Sequence, residues 1–190
     1  MENEEKTLEL RMYFFVPYNI SPIQQAIQAG HAALEYADRF AGDEQFIMFV
    51  REWKTWVILD GGTTNSRRDL SGEVMGSLDQ IGDTLLANDI QFSYFQEPDL
   101  NDALTALCFI ADERVFNRKD YPEFLDYIFD VKMYPEVRSA MPEQNYIMLK
   151  MQTIEHLQEM FPEYYKEWVR FVGGVKNVFL RELLKGKKLA

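Results

Sequence analysis

Short segments with strand-like and helix-like spacing alternate through the first 112 residues, and this alternation restricts the fold more than any other feature. Residues 8–16 carry an apolar side chain at every second position, the spacing typical of a β-strand. Further strands are predicted over 53–60, 90–95 and 104–110, and helices over 21–37, 44–51 and 74–87. Strands that alternate with helices favour a layered and at least partly parallel sheet. We therefore expect an α/β fold with a mixed four-stranded sheet, in which the 104–110 strand, apolar on both faces, lies centrally.

The first predicted helix has a clear start signal. Ser21 is a favourable N-cap, Pro22 suits the first helical position, and Gln24 completes a capping box. Apolar residues at helical spacing then form a stripe of the kind that normally faces a core, made of Ile23, Ala26, Ile27, Gly30, Leu34 and Ala37. A polar stripe on one face of the same helix consists of Gln24, Gln28, His31 and Glu35.

The last third of the chain has helical periodicity alone. It predicts helices over 122–133, 144–160 and 164–185, whose aromatic and Met positions would form a core or an oligomer interface. Gly173-Gly174 interrupts the last of these helices and should kink or weaken it. The sequence therefore predicts three parts, which are a disordered acidic N-terminus over 1–7, an α/β domain over 8–112 and an all-helical extension over 113–190.

Composition argues against several classes of protein and site. One cysteine and two histidines exclude a disulfide framework, a Cys-based zinc site and a multi-His metal site. The acidic start is unlike a targeting peptide, and no apolar run approaches the roughly 18 residues of a membrane span. We therefore expect a cytoplasmic protein with no metal, no cofactor and no membrane partner. Cys108, within the apolar 104–110 run, is expected to be a buried and inert thiol.

The charge distribution bears on nucleic-acid binding. The whole net charge of −11 lies in the first 110 residues, where seven Lys and Arg oppose eighteen Asp and Glu. Such an acidic surface binds phosphate backbones poorly. Clustered positive charge occurs at 176–188, and a second basic pair, Arg67-Arg68, lies in a polar loop. These two places are where we would expect contacts with a tRNA or nucleotide.

Several segments resemble one known family. The segment Gln28-Ala29-Gly30-His31-Ala32-Ala33 looks like the Q-x-x-H-A-A signature of archaeal/eukaryotic-type (type II) peptidyl-tRNA hydrolases. The order of strands and helices over 8–112 is also similar. The segment from Phe95 to Thr105, with its Glu97-Pro98 turn, resembles the divergent peptidyl-tRNA-hydrolase-domain-containing branch. This resemblance implies the type II peptidyl-tRNA hydrolase fold and metal-independent hydrolysis of the ester between a peptide and tRNA, and the whole chain would suit a phage or bacterial accessory protein.

The resemblance also implies roles for particular residues. Glu97 would act as the base or orient water, while Gln28, His31 and Thr105 would orient or polarise the ester. Substrate contacts would come from Gln24, Arg67, Arg68, Asp99 and Asn101. Simpler structural roles stay open for these residues, such as a helix cap for Gln24 and ordinary turn chemistry for Asp99 and Asn101.

Departures from the family pattern keep other functions open. Gln24 occupies the position where active members carry Lys, and Glu97 occupies that of an Asp. A neutral amide at position 24 supplies no ammonium for a phosphate or an oxyanion. The second hypothesis is therefore a catalytically inactive binding module on the same fold, for a nucleotide, an RNA end or a protein partner. A third makes the C-terminal helices a device for homo-oligomerisation or partner binding.

Overall fold

The fold is seen in a computed structural model that describes residues 7–63, 76–132 and 141–190. The chain folds into two compact units. The first unit comprises residues 1–113 together with 182–190, and the second is Arg114–Arg181. The division expected at 112/113 lies beside the first of these boundaries, whereas the last nine residues group with the α/β unit. The segment expected to be disordered, 1–7, lies outside the described residues except for Thr7.

The first unit holds the sheet and the helices that cover it. Its elements are β1 (Leu10–Val16), α1 (Pro22–Phe40), α2 (Glu44–Met48, continued by a π-helical turn over Phe49–Trp53), β2 (Thr55–Asp60), α3 (Ser77–Ala87), β3 (Phe92–Glu97), a 3-10 turn (Pro98–Leu100) and β4 (Ala103–Asp112). The strands and helices expected over the first 112 residues are confirmed, with ends that differ by a few residues.

The sheet has mixed strand directions. Its strand order is β2-β1-β4-β3, with β1 parallel to β2 and antiparallel to β4, and β3 antiparallel to β4. Phe14 of β1 lies between Ile58 of β2 and Cys108 of β4. The prediction that the 104–110 strand is central is therefore confirmed, and its residues from Thr105 onwards are buried.

Helix α1 packs with a face that the hydrophobic pattern did not indicate. The capping box between Ser21 and Gln24 is confirmed. However, the expectation that the apolar stripe faces the core is wrong, because Ile23, Ile27 and Leu34 are 75%, 50% and 70% exposed. The helix instead buries Gln25, Gln28, Ala29, Ala32 and Tyr36. Alanines at the contact allow the helix backbone to approach β1 and β4 closely, whereas Ile and Leu there would hold it away.

The C-terminal residues extend the sheet at its β2 edge. The backbone N–H of Asp60 donates to the carbonyl of Lys188 at 3.0 Å, and the N–H of Ala190 donates to that of Ile58 at 3.1 Å. Leu189 thereby forms an antiparallel bridge with Leu59. Pairing of this kind covers backbone groups that an edge strand would otherwise leave open to another chain.

The second unit is helical in its described part. Helices α4 (Glu113–Phe116), α5 (Phe124–Asp126, continued by a π-helical turn over Tyr127–Lys132), α6 (Glu143–Lys150), α7 (Ile154–Met160), α8 (Pro162–Phe171) and α9 (Val175–Leu184) follow one another. The expected interruption at Gly173-Gly174 is confirmed, and both glycines have positive φ angles, of 92° and 103°. The helix expected over 144–160 is divided in two, because the side chain of Thr153 caps the N-terminus of α7 by accepting from the backbone N–H of His156.

An aromatic core holds the second unit together. Phe124, Trp168 and Tyr165 pack with ring centroids 5.2–5.8 Å apart. The guanidinium of Arg181 is fully buried over the Trp168 ring and donates to the carbonyl oxygens of Arg114 and Pro122. It also pairs with Glu123 at 3.3 Å. The buried charge is therefore compensated within this unit, as burial of a cation requires.

We predict that stability falls in alkaline solution because of Cys108. Burial raises the pKa of this thiol from 9.0 to about 12. The unfolded chain releases the proton near pH 9, so between about pH 8.5 and pH 9.5 it begins to lose the proton while the folded state keeps it, and the free energy of unfolding should fall. The slope is at most about 1.4 kcal/mol per pH unit. Urea unfolding of the wild type and Cys108→Ala across this range measures it, and the slope should be flatter in the variant.

This pH range isolates the thiol, because Tyr36, whose pKa burial also raises, contributes only at higher pH. An equal slope in both proteins would contradict the prediction. The prediction would also be contradicted if a thiol reagent modified Cys108 in the folded protein as fast as it modifies Cys108 in the unfolded chain.

Candidate functional site

The side-chain amide of Gln28 joins α1 to two strands of the sheet. Its Nε2 donates to Glu97 Oε2 at 2.6 Å, and its Oε1 accepts from Thr105 Oγ1 at 2.6 Å. Gln28 and Thr105 are buried, while Glu97 is half-buried. Three of the four residues expected to be catalytic therefore form one chain of hydrogen bonds, although they are separated by up to 77 positions in the sequence.

A β-bulge places Thr105 in this chain. Phe95 is paired with Ala106, but its neighbour Gln96 is paired with Leu104, so Thr105 is an extra residue on β4. Ala106 packs in the core cluster with Ala29 and Ala32 of α1, and Thr105 also reaches α1, through Gln28. A bulge commonly redirects a side chain in this way beside a functional site. The Thr105 hydroxyl lies 3.4 Å from the carbonyl oxygen of Phe95 as well.

His31 completes the group through an aromatic contact. Its ring stacks on Phe95, with centroids 4.4 Å apart and planes inclined by 19°. Phe95 and Glu97 are two positions apart on β3 and share a face, and Gln28 and His31 are three positions apart on α1 and share a face. The two pairs therefore face each other, so that Gln28 contacts Glu97 and His31 contacts Phe95. His31 is half-buried.

The turn after Glu97 is tight. The backbone N–H of Asp102 donates to the Glu97 carbonyl at 3.1 Å, and Asn101 and Asp102 have left-handed backbones with φ of 54° and 57°. Asn and Asp tolerate this conformation, which agrees with ordinary turn chemistry. Asp99 and Asn101, expected to contact substrate, are exposed on this turn, outside the hydrogen bonds that join Gln28, Glu97 and Thr105.

The remaining candidates for substrate contact are not brought to the cluster. Gln24 is exposed, and its Oε1 accepts from the backbone N–H of Ser21 at 3.0 Å and lies 3.0 Å from the Ser21 hydroxyl. The side chain thus serves the capping box at the start of α1. Arg67 and Arg68 lie outside the described residues.

The cluster can orient one carboxylate and the group that approaches it. Gln28 donates to Glu97 Oε2, and among the described residues the second carboxylate oxygen has no hydrogen-bond partner. The partner on Oε2 is a neutral amide rather than a cation, so this contact brings no positive charge to the carboxylate. In the described ranges, no cluster of three or more His, Cys, Asp or Glu is arranged for a metal ion, and no helix is long and apolar enough to cross a membrane.

Phe95 is a site residue that the sequence analysis did not single out. A signal for it was present, because a residue two positions before Glu97 on a strand shares its face. The bulge at Thr105 had no comparable signal, since the strand reads as a continuous apolar run.

No family model matches this chain, and a search of curated proteins finds no match.

We predict that the Thr105 hydroxyl stabilises the fold. Thr105→Val keeps the shape but leaves the buried Oε1 of Gln28 without its donor, which should lower the free energy of unfolding by about 1–3 kcal/mol. Urea unfolding measures the change. Ser93→Ala on the neighbouring strand is a matched control, because Ser93 Oγ is buried and has no hydrogen-bond partner among the described residues.

Because Ser93→Ala removes a buried hydroxyl that has no partner, the control should not lower the free energy of unfolding. If Thr105→Val were no more destabilising than Ser93→Ala, the hydrogen bond to Gln28 would contribute nothing.

Proposed function

We propose that this chain is a peptidyl-tRNA-hydrolase-like protein that hydrolyses the ester bond of peptidyl- or aminoacyl-tRNA. The observation that carries the proposal is the Glu97 carboxylate, which is half-buried and accepts a hydrogen bond from Gln28 on one oxygen. His31, which lies beside it on Phe95, and Thr105, which fixes the Gln28 amide, belong to the same group. Three residues at family-like positions in the sequence, Gln28, His31 and Thr105, are thus grouped with one half-buried carboxylate, that of Glu97.

The architecture of the first unit supports the same proposal. The motif from Gln28 to Ala33 lies on the helix after the first strand, and the mixed sheet of four strands follows the expected chain order. We extend the proposal to the fold, which we assign to the type II peptidyl-tRNA hydrolase kind over residues 8–112. A substrate of this class would place the protein in the cytoplasm.

The proposed reaction needs water and one carboxylate. Glu97 takes a proton from a water molecule, whose oxygen bonds to the ester carbonyl carbon and forms a tetrahedral intermediate. The intermediate then expels the ribose oxygen of the tRNA, which receives the proton from Glu97, so that the carboxylate is restored. Gln28 keeps Glu97 oriented throughout, and the half-buried His31, stacked on Phe95, is the group proposed to polarise the ester.

We predict that Glu97→Gln abolishes most of this activity. The amide is isosteric but a much poorer base, so kcat/KM for release from a peptidyl-tRNA mimic should fall by about 100-fold or more. Gln28→Ala should also lower it, because the carboxylate loses its orienting donor. Glu163→Gln is a matched control on an exposed carboxylate of the second unit, paired with Lys166 on the same helix, and should leave turnover unchanged.

Circular dichroism of each variant shows whether the fold is retained. Turnover that survives in folded Glu97→Gln and Gln28→Ala would overturn these roles.

A second candidate function is a binding module without turnover, and the position of Gln24 favours it. Its amide is engaged with Ser21 in a helix cap and offers no positive charge to a phosphate. Gln28 and Thr105 also satisfy each other's hydrogen-bonding groups within the protein. The same cluster would then hold an RNA end or nucleotide by Glu97 and His31 alone.

We predict that Gln24→Lys separates the two functions. Under the binding function it should tighten binding of a labelled acceptor-end RNA several-fold, with greater salt dependence and no turnover, because one cation is added one helical turn before Gln28. Ile23→Lys is the matched control, since it adds the same charge at a neighbouring exposed position. Release of the peptide by Gln24→Lys, but not by Ile23→Lys, would favour the hydrolase instead.

A further inference from the structure

The exposed apolar stripe of α1 borders a cavity. Ile27, Gly30 and Leu34 line one side of it, while Phe46 and Val50 come from α2 and the turn that continues it, and Trp56 from β2. The cavity has a volume of about 660 Å³. Its floor is formed by Met12 and Phe49, which are buried. We call this the α1–α2 groove.

The groove is a surface feature rather than a defect of the core. Its walls are exposed, because Ile27, Leu34, Val50 and Trp56 keep large fractions of their surface open to solvent. Leaving such apolar area in water is unfavourable, and contiguous exposed apolar patches usually mark binding sites. The opposite face of α1, with Ala29, Ala32 and Tyr36, packs in the core.

The size of the groove favours a small ligand. Pockets for small molecules commonly have volumes of roughly 300–1,000 Å³ and mostly apolar walls with few polar groups. A stable protein interface instead needs about 800 Å² on each partner, more than one concave cavity provides. The groove therefore fits a compact apolar molecule better than a protein surface.

A lysine in the lining of the groove, Lys54, indicates which charge the ligand should carry. Lys54 ends the π-helical turn with a left-handed backbone, φ 54°, and lies in the wall of the groove. Its Nζ donates to the neutral carbonyl oxygen of Arg51 at 3.4 Å, and it has no ion pair within the described ranges. An ammonium beside an apolar cavity favours a ligand with an anionic end group, with which it forms an ion pair.

We propose that the α1–α2 groove binds a small apolar carboxylate of the medium-chain fatty-acid class. The chain lies against Ile27, Leu34 and Trp56, and the carboxylate pairs with Lys54. The inference does not rest on the proposed hydrolysis, because it concerns equilibrium binding at residues outside the Gln28–Glu97–Thr105 chain. His31 lines both places and is therefore left unaltered in the test.

Decanoate binding tests the proposal. Isothermal titration calorimetry with the full chain should show one saturable site. Decanol, which lacks the charge, should bind about twofold to fivefold more weakly, the value of one exposed ion pair. Lys54→Asn, whose side chain tolerates the left-handed backbone, should remove the difference between the two ligands without abolishing binding.

Leu34→Glu tests the apolar wall. It places a charge in the groove and should weaken decanoate binding more than tenfold, whereas Leu86→Glu on α3 is equally exposed and should leave it unchanged. Both positions lie at the surface, and circular dichroism confirms that each variant is folded.

Any of three results of the binding experiments would overturn the proposal. They are equal decanoate binding by Leu34→Glu and the wild type, equal binding of decanol and decanoate by the wild type, and absence of saturable binding. Sedimentation of the ligand-free protein shows whether the groove has another occupant. A dimer that Leu34→Glu dissociates would assign the groove to a second copy of the chain and would also overturn the proposal.

Discussion

The buried amide of Gln28 determines how the first helix sits on the sheet. A buried amide without partners costs roughly 1–3 kcal/mol, and Gln28 avoids that cost only where Glu97 and Thr105 both reach it. This requirement sets the position of α1 over β3 and β4. His31, one turn further along, then lies on Phe95. The candidate site thus follows from a structural need of the helix, and the proposed function would use the same hydrogen bonds.

The two faces of α1 have separate consequences. Alanines 29 and 32 allow close approach to the sheet, so the face that contains Gln28 is the buried one. The larger apolar residues of the helix, such as Ile27 and Leu34, are consequently left at the surface and border the α1–α2 groove. One helix therefore positions a polar cluster on the side of β3 and β4 and an apolar groove on the side of α2. Its packing explains both features.

Much of the fold could be predicted because its signals are local. The alternating residues of β1, the capping box at Ser21 and the uninterrupted apolar run of β4 indicate their elements directly. The buried face of α1 could not be predicted, because the hydrophobic pattern favours Ile and Leu over Gln and Ala, and the gain from close packing is not visible in it. The break before Thr153 was missed for a similar reason, since helical periodicity continues across it. Oligomerisation through the C-terminal helices stays a prediction.

The sequence by itself determined the order of strands and helices, the start of α1, the central place of β4 and the residue types available for a site. These depend on neighbours in the chain, whose spacing is readable. The tertiary structure alone decided that Thr105 bulges out of register, that Gln28 joins Glu97 to it, and that Gln24 remains in its helix cap. Such features depend on residues 69 and 77 positions apart in the sequence. The hydrogen bonds between them form only when α1 has packed on the sheet.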